Sequence, residues 1–447
     1  MRYQGKFPEY SQPLFRHLPE DFMLNLLKSR RITSTFAPTM QMEYNTTSLP
    51  NGIRLIHHRN HSEVAHFGLL VHTGTRDEHP DEHGLAHFME HMFFKGTRKR
   101  SAYQIISRLE DVGGEVNAYT TKEETAIYAT FLKDDARKAI ELIQDIFVNS
   151  LFEEKERIKE TEVILSEIQT YEDTPSELIF DHAEELLFPE HPIGRNILGS
   201  RESLHRFRNG LVEKFRNENY ATAEIVLCAV GNIPFDKLSR YAERYFYDLP
   251  ERSRTRSREV PEPSGGKKLK VARNTFQAHC VISGQAYSYR HDDRIALHLL
   301  NNILGGPGMN SRLNMALRER RGFSYSAESH YLPYTDSGAI NIYFSCDKDR
   351  FQKSLEVTRG ELKKLRSKPI QEKRLNFARR QLLGQIAISS ENGEHLMMSM
   401  AKSYLLYNRV DSLPEIARKL DTVTAEKLLD VANEVLDPAN LNTLIYM

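Results

Sequence analysis

The stretch FLKDDARKAIELIQDIF (131–147), continued by EEKERIKETEVILSEI (153–168), has a counterpart in FSCDKDRFQKSLEVTRGEL (344–362) and QEKRLNFARRQLLGQI (371–386). Both copies run from an apolar strand through a charged turn into one helix, then into a second, highly charged helix. In the first copy Asp134 and Asp135 are cap candidates, and Ala136, Ala139, Ile140, Ile143 and Ile146 mark one apolar helix face. A face of that kind packs on a sheet. The chain lacks the three or more short units that a solenoid needs, so the repeat predicts two similar α+β halves.

The elements around each copy agree. GIRLIHH (52–58) and VAHFGLLVHTG (64–74) read as strands, a helix is expected from about residue 82, and AIYATF (126–131) and AEIVLCAVGNI (223–233) read as further strands. After PERSRTRSREVPEPSGGKK (250–268) the order recurs: CVISGQAY (280–287), the helical IALHLLNNIL (295–304), the strand GAINIYFS (338–345) and a helix from near Asp347. That intervening segment is rich in Pro, Gly, Ser and charge and has no apolar period, which is how a linker reads. The expected organisation is an extension over 1–41, one half over 42–248, a linker over 249–268 and a second half over 269–447.

At 447 residues the chain exceeds what one core usually supports, in keeping with two halves. Lys plus Arg equals Asp plus Glu at 61 each, so no global field favours nucleic acid or an anionic membrane. Cys228, Cys280 and Cys346 are scattered and lack CxxC spacing, which argues against a disulfide framework or a thiolate metal site and suits a reducing compartment, the cytoplasm. No apolar run is long enough for a spanning helix or a signal peptide, and the acids Glu9, Glu20 and Asp21 are unlike an organelle transit sequence.

The chemistry concentrates in HGLAHFMEHMFFKGT (83–97). His87 and His91 stand one helical turn apart, so both imidazoles can reach one ion, and Glu90 beside them can accept a proton from water there. Half of the 18 histidines lie between His57 and His91, which raises the odds of meeting HxxEH by chance. A tetrahedral catalytic zinc also demands a third protein ligand. Taken alone, the motif leaves that ligand open. The Gly-rich LGGPGMNSR (304–312) lacks both GK[ST] and GxGxxG, so nucleotide binding is not expected.

The HxxEH segment together with ETEVILSEIQ (160–169), VNAYTTKEETAIYA (116–129) and SRLNMALRERRGFSYS (311–326) resembles the pitrilysin and insulinase type of zinc peptidases, which includes mitochondrial processing peptidases and bacterial relatives. The resemblance extends over nearly the whole chain after residue 42. It implies an α+β fold of two homologous halves, each a mostly antiparallel mixed sheet packed with helices, forming a clamshell. It implies one zinc per chain on His87, His91 and Glu167, Glu90 as general base, and Glu160 as a supporting acid. Glu160 lies seven residues before Glu167 and so on the same helix face. It further implies that Glu123 stands behind the ligands and that the strand edge Asn117, Ala118 and Tyr119 receives substrate backbone. Arg318 and Tyr325, from the second half, would contact the scissile carbonyl. The second half would carry no metal, and His191 in HPIGRNILG is read as structural.

The function that follows is endopeptidase cleavage of peptides or unfolded segments, with a homodimer as the simplest assembly and neither nucleic acid nor membrane as a partner. Two alternatives stay open: a non-catalytic scaffold, and a processing subunit that needs a second chain. His2Glu ligation suits zinc, though cobalt or manganese could occupy the same site in vitro.

Overall fold

The computed structural model describes residues 43–447; the extension expected over 1–41 lies outside the described residues. The first half contains strands β1 (Asn45–Ser48), β2 (Arg54–His58), β3 (Val64–Val71), β4 (Glu115–Thr120), β5 (Thr125–Leu132) and β6 (Ile225–Val230). Its helices are α1 (Leu85–Met92), α2 (Ala102–Glu110), α3 (Ala136–Asn149), α4 (Glu154–Glu172), α5 (Pro175–Leu187), α6 (Arg201–Leu204), α7 (Asn209–Asn219) and α8 (Phe235–Phe246). The second half contains β7 (Lys268–Val271), β8 (Gln277–Gln285), β9 (Ser324–Pro333), β10 (Gly338–Asp347) and β11 (Asn442–Tyr446). Its helices are α9 (Arg294–Gly305), α10 (Phe351–Ser367), α11 (Glu372–Ser390), α12 (Gly393–Tyr407), α13 (Leu413–Asp421) and α14 (Ala425–Val435).

The duplication is visible strand by strand. The first sheet has the order β1-β2-β6-β3-β5-β4 and the second β7-β11-β8-β10-β9. With β1 set aside, each position in one sheet has its equivalent in the other. Each sheet also has a single parallel pair at the same place, β2 with β6 and β7 with β11, while the remaining pairs are antiparallel. The chain is thus α+β, two mixed and mostly antiparallel sheets packed with helices.

Both faces of each sheet are covered, which explains why the central strands are apolar throughout rather than alternating. On β6, Ile225, Leu227 and Ala229 join the core formed with α1, α3 and α8. Val226, Cys228 and Val230 point to the opposite face, where they meet Met397, Met400, Ala401 and Tyr404 of α12 from the second half. Gly68 of β3 faces the same helix: a Cβ there would come within 3.1 Å of the Met397 methyl carbon. The exchange is reciprocal. Ile179 and Ala183 of α5 pack on Val281, Tyr343, Leu444 and Tyr446 of the second sheet. Each half therefore lends one helix to the other's sheet.

Charged residues close the same junction. The β4–β5 hairpin tip presents Lys122, Glu123 and Glu124, and each is paired differently: Lys122 with Glu184 of α5 at 3.4 Å, Glu124 with Lys402 of α12, and Glu123 with Arg76 at 2.6 Å and Arg258 at 3.4 Å. Glu123 also accepts the Thr335 backbone N–H and hydroxyl, both at 2.9 Å, from the β9–β10 turn, the equivalent hairpin tip. The segment 250–267 has no helix or strand, yet it is fastened down. Arg254 reaches Asp77 and Glu224, each at 2.6 Å, and Arg258 reaches Asp77 at 2.9 Å. None of the described helices is long and apolar enough to cross a membrane.

The exchanged helices give a direct prediction. A chain ending at Asp248 exposes Ile56, Leu70, Val226 and Val230 on one face and leaves α5 without its sheet, an apolar area typical of aggregation. Expression of 42–248 alone should yield insoluble protein. A monomeric, soluble fragment in gel filtration would show that the exchange is dispensable.

Candidate active site

The helix α1 forms where it does because its apolar residues fall at 85, 88, 89 and 92, one face of a helix. Leu85, Phe88, Met89 and Met92 are all fully buried. Its start is set from outside. Gly84 takes a left-handed φ of 87° and packs so closely on Gly199 that a Cβ would meet its Cα at 2.5 Å. The buried carboxylate of Glu78 accepts the N–H groups of Gly84 and Ala86, both at 2.8 Å, satisfying amides that a helix start leaves unpaired. With that face locked, His87, Glu90 and His91 fall on the side that meets α4 and β4.

The structure brings His87, His91 and Glu167 together. One atom from each lies within 4.8 Å of the others. Glu167 Oε2 stands 3.9 Å from His87 Nε2 and 3.5 Å from His91 Nε2, and the two rings meet edge to face with centroids 4.7 Å apart. These separations are too long for good hydrogen bonds and suit three donors around one ion. Two imidazoles and one carboxylate are also the donor set that zinc accepts, so the residues fit the metal that the sequence implies.

The seven-residue spacing puts Glu160 and Glu167 on one face of α4 and both reach His91, but from opposite sides of its ring. Glu160 is buried and does not face the three-donor centre: its Oε2 is 3.3 Å from His91 Nδ1, the far ring nitrogen, and its Oε1 is 2.7 Å from Lys95. A carboxylate on the far nitrogen fixes the tautomer and the ring plane that a metal would meet. Lys95, one turn after His91, completes that chain and was not anticipated; its i+4 position was the available signal. Nothing among the described residues hydrogen-bonds the buried Nδ1 of His87.

Electrostatics differ among these neighbours. Burial holds the His87 imidazolium down to about 4, so that ring is neutral and ready to ligate. For His91 burial works in the same direction, but the Glu160 carboxylate bonded to its far nitrogen and the nearby Glu167 charge outweigh it and raise the ring to about 9 in the metal-free protein. Burial likewise opposes ionisation of Glu167 and Glu160, and the neighbouring His91, with Lys95 beside Glu160, still holds both below the usual carboxylate range. Glu90 goes the other way: burial raises it, against the opposing pull of Thr120 and His91.

The remaining candidates are placed as follows. β4 is the edge strand of its sheet and packs beside α1, with Asn117 exposed and Ala118 and Tyr119 half-buried. Glu123 is spent on Arg76, Arg258 and Thr335. Arg318 lies on a π-helical turn (Asn314–Glu319), its ionic neighbour being Glu319 at 3.8 Å, and Tyr325 opens β9 with 73 % of its surface exposed. His191 caps its own turn by accepting from Ile193.

The pKa pattern predicts how the site loads. His91 stabilises the metal-free fold fully below its ordinary value near 6.5, and that contribution is lost as pH rises through about 9. The same proton competes with a metal, so zinc affinity should climb with pH across that window. At pH 7.5 zinc binding should release about one proton, from His91, because His87 is already neutral. Calorimetry in buffers of different ionisation enthalpy reads this number. Glu160→Gln should weaken zinc binding by about 10–100-fold through loss of the support to His91.

Comparison with known proteins identifies the family. Residues 54–201 match the model of the insulinase family, peptidase family M16, and residues 210–382 match that of the peptidase M16 inactive domain. A zinc protease of Bacillus subtilis, itself described as uncharacterized, is 33% identical over 387 residues, covering 86% of this chain and 94% of its own. One from Rickettsia bellii is 29% identical over 407 residues, covering 91% and 98%. A protease from Helicobacter pylori has a similar fold, with a TM-score of 0.82 at 19% identity over 90% of this chain and 99% of that one. A Pseudomonas fluorescens structure described as a peptidase M16 inactive domain gives 0.84 at 18% identity, over 90% and 97%. With both family models matched in turn along the chain and a relative 33% identical over 86% of it, this chain belongs to the M16, or insulinase, family of peptidases.

Proposed function

We propose that this protein is a zinc-dependent endopeptidase, with one catalytic zinc per chain on His87, His91 and Glu167. The observation that carries the reading is the convergence of those three donors beside a half-buried Glu90, which shares its helix with His87 and His91. Zinc bound there would supply Lewis-acid polarisation of a peptide carbonyl and would lower the pKa of a water. Glu90 takes the proton of the attacking water and returns it to the leaving amine. Burial assists both transfers, because a carboxyl raised from its ordinary value binds a proton more readily and still releases it. Glu160, through His91, keeps the ligand oriented.

Substrate binds as an added strand on the free edge of β4, pairing its backbone with Asn117, Ala118 and Tyr119. Main-chain pairing recognises extended peptide rather than particular side chains, so the substrates are oligopeptides and unfolded segments. Arg318 and Tyr325 donate to the carbonyl oxygen as its charge develops. Both are largely exposed and neither contacts α1 or α4 through a hydrogen bond or ion pair, which supports a homodimer in which the pair serves the partner's site. All three cysteines are unpaired and buried, in keeping with a reducing compartment such as the cytoplasm.

Two experiments test this. Glu90→Gln should retain zinc and lose at least about a hundredfold in cleavage of a quenched fluorescent peptide. Wild-type protein that binds zinc yet cuts nothing alone would point to a missing second chain, and protein that binds no metal would leave a scaffold. For the dimer, Glu90→Gln and Tyr325→Phe chains should each be impaired and should regain activity when mixed. No recovery after verified subunit exchange would place Tyr325 in its own chain's site or outside catalysis.

A further inference from the structure

Immediately before α1 lies a second group of ligand-type side chains that the peptidase reading does not use. His79, Glu82 and Glu218 each offer one donor atom, and these atoms lie within 4.8 Å of one another. Glu82 ends the short turn Pro80–Glu82 that His79 caps, and Glu218 sits in the last turn of α7. His79 Nε2 is 3.6 Å from Glu218 Oε2, long for a hydrogen bond and between the 3.5 and 3.9 Å that separate Glu167 from His91 and His87. Two donors on a tetrahedral ion with bonds of about 2.0–2.1 Å stand roughly 3.4 Å apart, so little movement is required.

Glu82 adds an independent sign of a ligand. Its side chain is wholly buried, with Oε2 accepting the His79 backbone N–H at 2.9 Å. Its Oε1 is buried and receives no hydrogen bond among the described residues. The Lys214 ammonium stands 3.5 Å away on a side chain that is half exposed, which balances charge without giving that oxygen a donor. A buried carboxylate oxygen without a donor is costly, and a cation at this point would satisfy it. An imidazole with two carboxylates favours a zinc-class ion over calcium or magnesium, which take oxygen donors.

We propose that His79, Glu82 and Glu218 form a second site for a first-row divalent ion of the zinc class, structural rather than catalytic. It ties the turn that enters α1 to the end of α7, next to Glu78, which caps α1. The site is weaker than the first, because the ion displaces Lys214 and because the His79 and Glu218 side chains are about one-third exposed.

The test is zinc titration of the full chain by calorimetry, with metal analysis after gel filtration. Wild type should bind two zinc ions per chain, the second more weakly. His79→Ala and Glu218→Gln should each bind one and cleave peptide as wild type does, and Lys214→Met should tighten the second site several-fold. Glu167→Gln damages the first site and should leave the second intact, which separates this proposal from the peptidase reading. Zinc should also raise the Tm of Glu167→Gln but not of Glu167→Gln/Glu218→Gln, an isosteric change that spares the fold if His79→Ala does not. Saturation of wild type at one zinc, or a second equivalent that persists in His79→Ala and Glu218→Gln, overturns the assignment.

Discussion

The reciprocal exchange of α5 and α12 is the constraint from which the rest of the structure follows. A sheet that is apolar on both faces cannot stand with one face bare, and neither half supplies enough helix to cover both. Each half completes the other's core. The relative position of the two sheets is therefore set by side-chain packing, and the buried pairs of Arg76, Glu123 and Arg258 add a geometric condition that packing alone would not impose.

That constraint reaches the metal-type donors through one continuous stretch of chain. Glu167 stands on α4, and α4 passes through a short turn into α5, whose apolar face rests on the second sheet. The other end of the relation is α1, pinned to the first half by Leu85, Phe88, Met89 and Met92 and by the Glu78 cap. The distance between His91 and Glu167 thus depends on both sheets at once. A three-donor site tolerates errors of only a few tenths of an ångström in its bonds, so the second half shapes the site without lending it a ligand.

Much of this was legible in the sequence, because duplication and helical spacing are local patterns. The copies at 131–168 and 344–386 gave the two halves, and the seven-residue spacing of Glu160 and Glu167 placed both acids on one helix face. The choice of Glu167 over the other acids of that charged helix came from the resemblance and not from spacing. The exchange was not legible: an apolar helix face announces that it is buried but carries no mark of which sheet buries it. The arginines at 254 and 258 misled in the same way. In sequence they look like the solvated charge of a linker, whereas in the fold they are largely buried partners of Asp77 and Glu123. Lys95 and Glu78 were passed over because a single charged residue signals nothing until its partner is in place.

The exposure of Arg318 and Tyr325 bears on how such a site could work. A donor stabilises a developing oxyanion strongly only where water is excluded, since in a high dielectric its attraction is screened. With the Arg318 side chain 52% exposed and Tyr325 73% exposed, a single chain gives neither residue such surroundings. Folding the halves further together is not an available remedy, because the exchanged helices and the Glu123 ion pairs already fix them against each other. If this pair acts on the carbonyl, what dries it comes from outside the described residues, and bound peptide and a second copy are the proposed sources. A substrate strand on β4 and a facing protomer would meet that need together, which is why the proposed homodimer and the proposed preference for extended peptide rest on the same physical requirement.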